Sequence, residues 1–234
     1  GLVIFSKKDC LLHFVKPVCR IRTLVSAASN GSSEMAAALV TGIVTMMFNW
    51  TMLKYVGENG VAAITIIMYV LMFATSLYTG YSYGVAPMIS FYYGEQNQGK
   101  LKKLIRLSMK IIGFIGAAAL IISLAVTEPL VAIFALSGNP VYDLAVTGNR
   151  ICSSALVFIG FNVFASGMFT ALSNGLVSAV LAFSRSFVFM VAAMLILPAI
   201  LGVTGAWLAT PAAEAAAFLL SAVMFIKYRK KYQY

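Results

Sequence analysis

Arg185 and Glu214 are the residues best placed to do chemistry, because each is an ionisable group inside a long apolar run. Arg185 stands ten residues after Gly175, which is roughly 15 Å along a helix and near the middle of a bilayer. A cation there costs about 2.5 to 3.5 kcal/mol on insertion scales unless it meets a partner or water. Counted outward from a turn at Gly202, Glu214 reaches a comparable depth on the next run, so it is the natural partner. Two roles fit such a pair. Either it only ties two helices together, or Glu214 titrates or meets a cation during transport.

Pro211 lies within the same run as Glu214. A proline there removes one backbone donor and deprives the Trp207 carbonyl of its usual partner, so the helix kinks one turn from the carboxylate. Broken helices beside a midplane charge mark transporter sites, although kinks also serve packing alone. Weaker candidates are Glu34, read as a first-turn residue of a helix capped by Ser32 or Ser33 and able to reach the interface, and the amides Asn49 and Asn162. Helix-to-helix hydrogen bonding explains intramembrane amides as well as ligand contact does. Arg150 falls one or two turns from a surface and is read as snorkelling.

Other chemistries find no support. Gly80-Tyr81-Ser82-Tyr83-Gly84 matches a nucleophile elbow, but it falls within a helical run and His13 is distant. The same letters read better as a G-x-x-x-G site of close helix approach. Cys10, Cys19 and Cys152 have no paired spacing, and one histidine cannot complete a metal site. A membrane enzyme would need a His, Cys or paired-carboxylate cluster that this sequence lacks.

The elements that must position these side chains are long and oily. Gly160 to Ser186 holds two apolar runs joined only by Ser173, Asn174 and Gly175, the pattern of an antiparallel helical hairpin. Neither arm carries a charged face, which a helix in water would need. Hydrophobic residues make up 61% of the chain and charged ones 10%, with mean hydropathy +0.93, which excludes an ordinary soluble core. The predicted fold is an all-α integral membrane protein with a bundle of six transmembrane helices, at about 33–56, 61–93, 104–126, 143–172, 176–198 and 205–227. Gly1 to Phe5 reads as the end of a preceding helix, residues 1–31 as that scrap plus a cytoplasmic connector, 32–228 as the bundle, and 229–234 as a basic tail. Thr127-Glu128-Pro129 is expected to stop the third span, with residues 130–136 forming a short interfacial helix. Turns are expected at Gly57 to Gly60 and Gly202 to Gly205.

Of the 17 Lys and Arg, 14 sit in three clusters: Lys7 to Arg22, Lys100 to Lys110, and Lys227 to Lys231. Placing the first cluster in the cytoplasm puts all three on one side, as the positive-inside rule requires. A pI near 9.6 therefore reflects topology, and nucleic acid is not an expected partner. The predicted location is the plasma membrane, with the connector and C-terminus cytoplasmic.

Several segments in order carry a family resemblance: NGSSEMAAALVTGIVTMMFNWTMLKYVGENGVAAITI, GYSYGVAPMISFYYGEQNQGK, FIGFNVFASGMFTALSNG, and the Gly-x-x-Gly-x-Trp-Leu-Ala-x-Pro-x-x-Glu run from Gly202 to Glu214. Together they resemble the C-terminal half of a MATE (multidrug and toxic compound extrusion) transporter of the MepA-like branch. The resemblance implies a cation-driven antiporter that expels bulky, often cationic or aromatic drugs through a cleft between two six-helix lobes. It implies a missing N-terminal lobe as partner, membrane lipid around the bundle, and no cofactor beyond a transported H+ or Na+. NorM-type relatives carry a carboxylate deep in the first helix of this lobe, where this sequence has Val40, Thr41 and Gly42, with Glu34 almost two turns nearer the cytoplasm. On this reading Glu214 and Arg185 form the ion-coupling or central polar pair. Asn162, Tyr78, Tyr81, Phe161 and Phe164 are the candidate cleft lining. Two rival readings remain: a lipid-linked sugar flippase, whose anionic cargo would want several cleft cations where only Arg150 and Arg185 are present, and a structural or assembly protein whose charge pair is dry and packed.

Overall fold

A computed structural model describes residues 21–232, with side chains given for Ile21 and from Leu39 onward. The chain divides into two compact units, Gly1–Val40 and Thr41–Tyr234. In the first unit the described backbone, from Ile21, is helical. The proposed helix scrap at Gly1 to Phe5 lies outside the described residues. The expected connector does not extend to residue 31, because α1 runs Ile21–Val56. Leu24, Ala27 and Ala28 favour helix, and one glycine at 31 costs only about 1 kcal/mol, too little to end it. Ser32 and Ser33 are therefore interior positions, and Glu34 is not in a first turn; its side chain lies outside the described residues.

The second unit continues with α2 (Glu58–Gly94) and α3 (Gln98–Ala132). Next come α4 (Pro140–Cys152), a short 3-10 turn (Ser153–Ala155) and α5 (Leu156–Ala171), which together form one 32-residue span. A second composite span joins α6 (Gly175–Phe183), a π-helical turn (Ser184–Phe189) and α7 (Met190–Leu201); α8 (Val203–Tyr232) follows. Five helical spans among the described residues are long and apolar enough to cross a membrane, and no described residue is in a strand. The chain is a multi-pass membrane protein.

The turns are tighter than expected where glycine permits it. Gly57 alone separates α1 from α2 at φ +83°, and Gly202 alone separates α7 from α8 at φ +59°. A left-handed backbone reverses the chain in one residue, and glycine meets no Cβ penalty there. Between α5 and α6 the turn spans Leu172 to Asn174, with Ser173 at φ +58° and the Asn174 side chain accepting from the Val177 amide. The Thr127-Glu128-Pro129 stop is a misreading. Pro129 lies inside α3, which ends at Ala132, and no separate helix covers residues 130–136. The buried Thr127 side chain is held within the bundle and Val131 is fully buried, so packing carries the helix past the proline.

The most buried of the five spans is Pro140–Ala171. Its α5 segment packs against α2, α3, α6 and α8. Phe164, Ala165, Met168 and Phe169 belong to one apolar cluster and Leu156 and Ile159 to another, while Trp207, Ile67 and Met52 centre a third at the far end. Phe73, Phe114, Ile121, Leu195 and Ile226 point outward, which suits lipid rather than water.

Candidate functional site

Asn162 on α5 and Glu214 on α8 face each other within the bundle, and the π-helical turn delivers Arg185 to the same point. The Arg185 Nε donates to both Glu214 carboxylate oxygens, at 2.8 and 3.0 Å. Asn162 Nδ2 donates to Glu214 Oε2 at 2.8 Å and to the Glu214 carbonyl at 2.9 Å. Ser221, two turns further along α8, donates to Asn162 Oδ1 at 3.1 Å. Glu214 is 4% exposed and is the only buried charged side chain among the described residues. The Arg185 side chain keeps 22% exposure, so the guanidinium bridges the core and the bundle surface.

Two local irregularities meet here. A π-helical turn inserts an extra residue per turn, rotating the following side chains and loosening the backbone, and such turns recur at functional sites. Arg185 is its second residue. Pro211 lies inside α8, three residues before Glu214, and the Trp207 carbonyl that it frees accepts a hydrogen bond from the Cys152 thiol at 3.2 Å. The backbone opened by the proline is therefore part of a packed contact between α4 and α8. No sequence signal singled out Cys152 for this role, because the partner is a backbone atom on another helix.

The remaining candidates are dispersed. Tyr78 is 2% exposed and donates to the Leu156 carbonyl at 2.8 Å, and Phe164 is 1% exposed. Both are core residues in this structure, not cleft lining. Tyr81 and Phe161 are half-buried, the latter against the Phe218 ring. Asn49 lines a different cleft of about 840 Å³ with Met46, Trp50, Glu58 and Phe134, remote in sequence from the charge pair. Arg150 pairs with Glu128 at 2.7 Å in an exposed position. Nothing lies within 4 Å of a Cβ built at Gly80 or Gly84, so the expected close helix approach is absent there among the described residues. Such approaches occur instead at Gly148, against Ile67 and Trp207, and at Gly160, against Tyr78 and Ile112.

A second buried polar group escaped the sequence reading. Asn149 Nδ2 donates to Thr127 Oγ1 at 2.9 Å, Ser123 and Ser153 share a 2.7 Å hydrogen bond, and the Ser153 hydroxyl also reaches the Asn149 carbonyl at 2.6 Å. Its signal was two polar pairs at i, i+4 spacing, Ser123 with Thr127 and Asn149 with Ser153. Each puts two polar groups on one helix face, but only the packing of α3 on α4 joins them.

Long apolar helices around a charge pair whose carboxylate is buried define a multi-pass membrane protein with an ionic centre. The chain belongs to the MatE family, whose model matches residues 33–202. No curated protein matches it in sequence. Among solved structures it is similar to an inward-facing multidrug resistance MATE family transporter of the MOP superfamily (TM-score 0.87, 20% identity, 99% of this chain and 54% of that one). It is also similar to the outward-facing form of such a transporter (0.80, 20%, 98% and 52%). A MOP superfamily transporter from Pyrococcus furiosus, described as having a binding pocket of reverse polarity, gives 0.75 at 22% identity over 97% of this chain and 52% of that one. The chain thus spans about half the length of the transporters whose fold it shares.

Proposed function

We propose that this chain acts as one lobe of a cation-coupled multidrug antiporter of the MepA-like branch. It works by alternating access against a second, N-terminal six-helix lobe. The cargo is a small organic molecule, cationic or aromatic, and the coupling ion is H+ or Na+. The bundle resides in the plasma membrane with its basic end cytoplasmic. One observation carries the reading: Glu214 is the only buried charged side chain among the described residues, and it is tied to an irregular helical turn through Arg185.

The geometry supports a simple exchange. With its charge free, the carboxylate holds Arg185 and Asn162. A proton or Na+ at Glu214 takes over that charge and weakens its hold on Arg185. The two elements then released are irregular, a π-helical turn and a proline-containing helix, and so shift at low cost. Differential binding of the ion to the two states moves the equilibrium between them. An anionic, flippase-type cargo has less support, because Arg150 is already engaged by Glu128 at an exposed position.

A second reading, a purely structural tie, is favoured by two observations. Three side-chain hydrogen bonds from Arg185 and Asn162 engage the carboxylate, and the clefts at Asn49, Arg106 and Tyr93 are lined by other residues. The test is efflux of a fluorescent aromatic cation from vesicles holding this chain together with a second lobe, under imposed H+ or Na+ gradients. Glu214→Gln is expected to abolish gradient-driven efflux. Efflux by that variant that still follows the gradient as in the unmodified protein refutes the coupling role.

A further inference from the structure

We infer that the cleft between the start of α3 and the end of α8 binds one anionic phospholipid by its phosphate headgroup. The cleft measures about 240 Å³ and is lined by Lys102, Ile105, Arg106, Phe225, Ile226 and Arg229. Lys102 and Arg106 stand one turn apart on α3, and Arg229 faces them from α8. None of these three cations forms an ion pair or side-chain hydrogen bond among the described residues. Their charges are therefore concentrated without internal compensation, at the end of the bundle that also carries Lys100, Lys103, Lys230 and Lys231.

The chemistry of the floor selects lipid over a soluble anion. Ile105 is buried, Phe225 half-buried and Ile226 exposed, so the cations surround an apolar base. From that base an outward apolar stripe of Ile226, Val223 and Leu219 descends α8 toward the middle of the span. It offers an acyl chain a continuous path below the headgroup. Two guanidinium groups suit a phosphate, because each presents parallel N–H donors to its oxygens. Basic pockets between helices at headgroup level recognise anionic lipids in this way. Arg229 stands roughly 22 Å from Glu214 along α8 at 1.5 Å per residue, so this site is separate from the proposed coupling pair and either can fail without the other.

The test is native mass spectrometry of the full chain, purified in detergent and supplied with phosphatidylglycerol or phosphatidylcholine. One phosphatidylglycerol is expected to stay bound per chain, and no phosphatidylcholine. Arg106→Gln with Arg229→Gln should weaken retention by about tenfold or more, since two charged contacts are lost. Lys103→Gln with Lys230→Gln removes the same charge outside the cleft and should leave retention near the unmodified level. Arg229→Gln alone, with a smaller loss, covers the case in which the double variant folds poorly. Equal loss in both double variants would assign the effect to diffuse surface charge and overturn the site. Displacement of the lipid by millimolar inorganic phosphate would make it a free-phosphate site and overturn it equally, as would equal retention of the two lipids.

Discussion

Replacing Arg185 by methionine removes the only cation that reaches Glu214 among the described residues, and that carboxylate is 4% exposed. Breaking a buried ion pair from one side costs about 3 to 5 kcal/mol, because the surviving charge is left uncompensated. Asn162 still donates to Oε2, which places the expected loss near the lower bound, about 3 kcal/mol. The double variant Arg185→Met with Glu214→Met behaves differently. No charge remains, the methionine chains fill comparable volume, and Asn162 keeps its bond to the backbone carbonyl of residue 214. One interhelical hydrogen bond, at about 0.6 kcal/mol within membranes, is the main loss. The double variant is thus expected within about 1 kcal/mol of the unmodified chain, giving a favourable coupling energy of about 2 kcal/mol or more in a double-mutant cycle. Reversible unfolding in mixed micelles measures all four corners of that cycle. The reasoning is refuted if the single variant is as stable as the unmodified chain, or if the double variant is no more stable than the single.

Glycine substitutions should divide by location. A Cβ at Gly205 collides with the Leu197 backbone carbonyl, so Gly205→Ala is expected to destabilise by about 3 kcal/mol, whereas Gly80→Ala, with nothing within 4 Å, should gain about 0.5 to 1 kcal/mol; thermal unfolding of both in detergent checks the contrast. Cys152 is fully buried, so in a chain carrying Cys10→Ser and Cys19→Ser a water-soluble maleimide should label it only on unfolding. Cys152→Ala should cost about 1 kcal/mol through the Trp207 carbonyl left without a donor, a loss that Cys152→Ser should partly recover. For topology, cysteines placed at Lys103 and Lys230 are expected to react from the same side of the membrane, and one at Asn139 from the other; reaction of the first two from opposite sides would break the helix order described above.

Composition and run length determined that this chain is an all-helical membrane protein, because the cost of leaving backbone polar groups unpaired in hydrocarbon permits little else. They also located the turn around Ser173 and matched Arg185 to Glu214, since depth along a helix follows from residue count alone. Depth does not give azimuth, and the tertiary structure decided what azimuth controls. It brought Asn162 to the Glu214 carboxylate, gave the Trp207 carbonyl freed by Pro211 a thiol partner in Cys152, and joined Asn149 to Thr127 across two helices. It also withdrew Tyr78 and Phe164 into the core and carried α3 past Pro129. The π-helical turn at Arg185 was not anticipated, because such turns are rare single-turn insertions within α-helices. Which polar atoms meet inside a membrane depends on how helices cross and rotate, and those angles are set by packing among all of them at once.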